Sequence, residues 1–120
     1  MNIISIILVL AIALLHFYFL YFEMFAWETI GKKTFKSIPE NLFTPTKTLA
    51  ANQGLYNGFL ASGLVWSVFV TDAVWSKNIA SYFLICVAVA GIYGAATAGK
   101  KIFFVQALPA LITLLTLFVL

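Results

Sequence analysis

The chain has 120 residues, 63% of them hydrophobic and only 9% charged, with a net charge of +3 at neutral pH. Its mean hydropathy of +1.05 leaves little from which to build a separate water-soluble domain, so a single domain is expected. The basic residues are all lysines that flank apolar runs instead of interleaving with aromatics, which argues against nucleic-acid binding.

The apolar runs, in chain order, are Ile3–Phe22, Leu49–Val70, Ile79–Ala98 and Ile102–Leu120. Each is close to the roughly 20 residues that a helix needs to cross a bilayer's hydrocarbon core. The expected fold is all-α, a four-transmembrane-helix bundle occupying residues 1–120. The first run lacks a basic n-region and a small-x-small cleavage site, so it reads as a retained helix and not a secretion signal.

The first connection, residues 23–48, carries Lys32, Lys33, Lys36 and Lys47, and its Pro39 and Pro45 preclude one continuous helix. The second, residues 71–78, holds Asp72 and Lys77; the third is little more than Gly99, Lys100 and Lys101. Four spans place the first and third connections together, setting six lysines against Lys77 alone. By the positive-inside rule those connections face the cytoplasm and both termini lie outside the cell membrane. Trp27 is then expected in the inner interfacial belt, with Trp75 and Trp66 in the outer one.

The second run carries small residues every four positions: Ala50, Gly54, Gly58 and Ser62. The third has Gly91, Ala95 and Gly99, beside Ala90, Gly94 and Ala98. In lipid, close backbone approach over such residues supplies packing, within a chain or between chains. In the last run Pro109 removes one backbone hydrogen bond and is expected to kink the helix. Cys86 reads as a small packing residue.

Placed on this topology, His16, Glu23, Asn52, Gln53, Asn57 and Gln106 all fall in the cytoplasmic half of the membrane, with Tyr93 and Thr97 beside them. Ser, Thr, Tyr82 and Cys86 are left for the outer half. His16, Leu20, Glu23 and Trp27 follow a 4-3-4 spacing and share a helix face. Seven residues separate His16 from Glu23 by about 10 Å along the axis, a gap for a water or a ligand group to bridge. Gln53 and Asn57 share a face one turn apart. Polar side chains at this depth avoid lipid, so the expectation is a polar pocket open to the cytoplasm or inner leaflet. An interfacial position in the headgroups is the competing reading for Asn52, Gln53, Glu23 and Gln106, and a structural hydrogen-bonding role is the competing reading for His16; Asn57, about 12 Å inside its span, fits the interfacial reading least.

Other chemistries find no support. One His and one Cys give no metal-ligand spacing, no loop is built to cradle phosphate, and no serine sits in a nucleophile motif.

With His16, Glu23, Trp27, the run Ala50-Ala51-Asn52-Gln53-Gly54-Leu55-Tyr56-Asn57-Gly58-Phe59-Leu60, Gly91-Ile92-Tyr93-Gly94 and Gln106, the chain resembles a family of small bacterial four-helix membrane proteins of unknown function. The resemblance covers nearly the whole chain. More distantly, Ala51-Asn52-Gln53 followed by Phe59-Leu60-Ala61 resembles the entry to the second helix in the MAPEG superfamily (membrane-associated proteins in eicosanoid and glutathione metabolism), in particular its non-enzymatic, arachidonate-binding version. That resemblance implies outward termini, a cytoplasmic first loop and a trimer with ligand sites between subunits. Enzymatic members hold glutathione with arginines. This chain has none, and the acidic residue that usually follows the motif is missing, so the resemblance does not extend to glutathione.

The combined reading is a homo-oligomeric inner-membrane protein, a trimer by the resemblance, with membrane lipids around it. Its inner-leaflet pocket would take a lipid-like or amphipathic molecule. His16 and Glu23 form the polar pole, Asn52, Gln53 and Asn57 orient the ligand, and Tyr93 and Gln106 close the site. The alternatives are a small oligomeric transporter or channel subunit, or an enzyme using His16 or Glu23 as acid or base. Transport calls for polar residues continuing to the outer face, and catalysis for an activated nucleophile or cofactor clamp; the sequence displays neither.

Overall fold

The computed structural model describes all residues, 1–120, and is all-helical. Its elements are α1 (Ile3–Phe25), α2 (Lys32–Thr34), α3 (Lys47–Phe69), α4 (Ala73–Thr97) and α5 (Leu108–Val119). Wide π turns occupy Trp27–Gly31 and Phe103–Ala107, and a 3-10 turn occupies Glu40–Leu42. Two helices, α1 and α4, are long and apolar enough to cross a membrane. The apolar stretch Phe103–Val119 is shorter, and α3 carries polar groups at Asn52, Gln53 and Asn57.

Several boundaries differ from the hydropathy reading. The first helix runs to Phe25, so Glu23 is a helical residue and not part of the first connection. Glu and Met are strong helix formers, and the backbone continues past the point where apolar side chains stop. The fourth element begins at Ala73, six residues before the apolar run, because Asp72 caps it. The Asp72 carboxylate accepts a hydrogen bond from the Trp75 N–H at 2.9 Å. Ser76, Lys77 and Asn78, polar residues expected in a loop, occupy its opening turns.

The chain resolves into two compact units, residues 14–61 and residues 1–13 with 62–120. In the latter, the kink expected from Pro109 is a widened turn: the Leu108 N–H reaches back five residues to the Phe103 carbonyl. Pro109, lacking an N–H, then sits in the first turn of α5, where no donor is needed. This turn lies against Gly91, where an added Cβ would come within 2.6 Å of the Ala107 nitrogen. Asn2 ties the start of α1 to the end of α5. Its amide nitrogen donates to the Thr116 carbonyl at 3.1 Å, while the hydroxyls of buried Ser5 and Thr116 meet at 2.8 Å.

In the unit formed by residues 14–61, the first connection folds onto an aromatic core. Phe22, Trp27 and Phe43 are buried, with Phe35 packed against them. Trp27 is only 8% exposed, and its indole N–H donates to the Thr46 hydroxyl at 3.0 Å. The ring is packed inside the protein, 5.0 Å from Phe43 and 5.6 Å from Phe35, centroid to centroid, instead of presenting an exposed face as a belt anchor does. Trp66 and Trp75 remain exposed. Gly31 is required at its position because the Trp27 ring lies over it, 2.7 Å from where a Cβ would stand.

Candidate functional site

Within the same unit, α1 and α3 approach over glycine. A Cβ on Gly54 would stand 3.0 Å from the Glu23 Cβ, 3.2 Å from the Leu20 carbonyl oxygen and 2.9 Å from Met24 Cγ; one on Gly58 would collide with Leu20. The four-residue stripe of α3 is therefore used inside the chain, at least at these two positions. Its effect is local: the amides at Gln53 and Asn57, each next to one of these glycines, come within reach of α1.

Glu23 receives both. The Gln53 side-chain N–H donates to Oε2 and the Asn57 side-chain N–H donates to Oε1, each at 2.6 Å. Glu23 itself is buried, 2% exposed. Each carboxyl oxygen thus accepts one amide hydrogen, and both contacts are short. Both donors are neutral. Five residues further on, by contrast, Glu28 meets Lys47 at 3.3 Å and the Thr44 hydroxyl at 2.9 Å on the surface.

The other residues of the expected site are distributed differently. His16 is buried, 1% exposed, and sets its ring edge-on to Phe19 at 5.1 Å. Asn52 is exposed and lies off the α1-facing row, because it is one residue, about 100° of helix, from Gln53. Tyr93, 71% exposed, and half-buried Gln106 belong to the other compact unit and are not among the groups bonding Glu23. Gln106 packs there against Gly91. No three His, Cys, Asp or Glu side chains come together as a group that could hold a metal ion.

Gly54 and Gly58 are legible in the sequence as packing residues, but not as the contact that brings Gln53 and Asn57 to Glu23. The signal was present in the interleaving of two four-residue spacings, Gln53 and Asn57 beside Gly54 and Gly58. Small residues bring the helices together, and the adjacent row spans the remaining gap.

The family model described as a protein of unknown function, DUF1304, matches residues 10–118 of the chain. The chain is also 35% identical, over 120 residues, to the uncharacterized protein YpaA of Lactococcus lactis subsp. lactis (strain IL1403), an alignment covering 98% of this chain and 99% of that protein. No solved structure matches it.

Proposed function

The chain belongs to the DUF1304 family of proteins of unknown function, and for this member we propose a four-span integral membrane protein that binds an amphipathic small molecule at the Glu23 cluster. The observation carrying the proposal is a buried carboxylate held by two amides from a neighbouring helix. Burying an ionisable group in an apolar setting is costly, and intramembrane ionisable groups mark ligand or ion sites by default.

The membrane reading is supported by α1 and α4, in each of which only 28% of the apolar span is buried. A core helix of a water-soluble protein would bury most of that surface; here Ile7 and Leu14 of α1 and Val74 and Val89 of α4 are exposed. The α3 helix matches α1 at 23 residues and supplies the cluster's amides. With α5 and its preceding turn as a fourth span, the lysine distribution orients the chain with both termini outside. The likeness of Ala51-Asn52-Gln53 to the MAPEG helix entry supports a trimer with the ligand near the cytoplasmic face.

Purification into lipid discs followed by mass spectrometry of co-extracted small molecules tests the binding reading. A species retained by the wild type and lost from Asn57→Leu is expected; equal retention by both would sink the site. Orientation is read separately, by labelling Ser37→Cys and Thr71→Cys in a Cys86→Ala background with an impermeant reagent. The proposal expects Thr71→Cys to react from outside the cell; the reverse pattern overturns the topology.

A further inference from the structure

The donors around Glu23 also constrain what the ligand can be. The carboxylate has two neutral partners, Gln53 and Asn57, whereas the lysine that pairs with an acidic side chain in this unit, Lys47, is at Glu28. Each amide spends one N–H on Glu23 and keeps its carbonyl oxygen, and each carboxylate oxygen keeps a lone pair. The pole is therefore rich in acceptors, and no lysine forms an ion pair with it. Buried charges persist in proteins when they are paired.

We propose that the site takes an amphiphile with a cationic, hydrogen-bond-donating head, a protonated amine, whose ammonium group completes the Glu23 cluster. This rests on the reading of the cluster as a ligand site and deepens it. An ammonium brings three donors and a positive charge, matching the unused acceptors of Glu23, Gln53 and Asn57. A fatty acid brings a second carboxylate into the same pole, and like charges at this separation repel. The chemistry thus departs from what the arachidonate-binding likeness implies. The amide side of the cluster reaches the surface of α3, where Gln53 is exposed and Asn57 half-buried. One turn beyond Gln53, Tyr56 and Phe59 are exposed, with ring centroids 5.4 Å apart, and offer an aromatic bed to an alkyl chain.

The test uses the full chain in phosphatidylcholine discs, titrated at neutral pH with three probes of equal chain length: dodecylamine, dodecanol and dodecanoate. Binding is read by native mass spectrometry against empty discs. The expected order is amine, alcohol, carboxylate, with the amine preferred over the alcohol by on the order of tenfold or more, the scale of losing one buried charge pair. In Glu23→Gln, nearly the same shape without the charge, that preference should collapse while dodecanol binding persists. Should Glu23→Gln fail to fold by circular dichroism, the wild-type ranking decides alone. Dodecanol or dodecanoate binding the wild type as tightly as the amine overturns the cationic head and leaves the ligand site standing. An amine preference that survives in a folded Glu23→Gln removes Glu23 from the recognition. Binding of none of the three above empty discs overturns the ligand reading itself.

Discussion

Glu23 and Glu28 are the same residue type five positions apart, yet their surroundings are opposite. Glu28 lies on the surface, where Thr44 and Lys47 hold its carboxyl below the ordinary value of 4.5, the Thr44 hydrogen bond contributing most. Glu23 is enclosed between α1 and α3 and meets only neutral amides. Water screens the first carboxylate and makes its partners nearly dispensable; the second depends on each donor it has. The same side chain is thus a solvated surface group in one place and a specialised acceptor in the other.

The sharpest way to break this contrast is to remove a donor from the buried carboxylate. Asn57→Leu should cost about 1–3 kcal/mol, the range for leaving a buried acceptor without one of its donors. Reversible unfolding in mild detergent measures it. Gln106→Leu, which removes no donor from Glu23, should cost clearly less, and equal effects would show that Asn57 is not special.

Next in size is the helix contact that brings the donors within reach. Gly54→Ala adds a methyl 3.0 Å from the Glu23 Cβ and 3.2 Å from the Leu20 carbonyl oxygen. A backbone oxygen cannot rotate away, so the helices must separate by a few tenths of an ångström. A loss of about 1–2 kcal/mol is expected in the same assay. A stability gain from this substitution, the usual result of Gly→Ala in an exposed helix, would contradict the close approach.

A smaller effect is expected in the aromatic core of the first connection. Trp27→Phe keeps an aromatic ring but loses the donor to Thr46, at about 1 kcal/mol. Indole fluorescence offers a second readout, since a buried Trp27 should resist quenching by iodide when Trp66 and Trp75 are replaced by Phe.

The smallest change should follow Glu28→Gln, and its signature is the pH dependence. A carboxyl held below its ordinary value in the fold contributes stability that is fully present above the unfolded value. That contribution is lost as the pH falls from 4.5 through the lower folded value. Wild type should lose more stability over that acid window than Glu28→Gln. Identical acid profiles would mean that the Thr44 and Lys47 contacts contribute nothing measurable.

Much of this arrangement can be traced to local sequence. Hydropathy marks the helical segments because long apolar runs without breakers have few other outcomes, and Pro39, Pro45 and Pro109 mark the interruptions through their missing N–H. Helix ends were less legible. Ser76, Lys77 and Asn78 look like a loop until Asp72 is recognised as the cap that lets a helix start before its apolar stretch. The packing of Trp27 is not legible locally, because nothing near it in sequence shows that residues 35, 43 and 46 fold back around it.

The sequence by itself determined that the chain is all-helical, that it is strongly apolar, and that Glu23, Gln53 and Asn57 carry the polar groups of two of its longest helices. Only the tertiary structure decided that these three touch. Hydropathy and helical period set a residue's depth and face, but not which faces meet. Here the meeting depends on two missing side chains, at Gly54 and Gly58, which let α1 and α3 close to the distance that short amides can span.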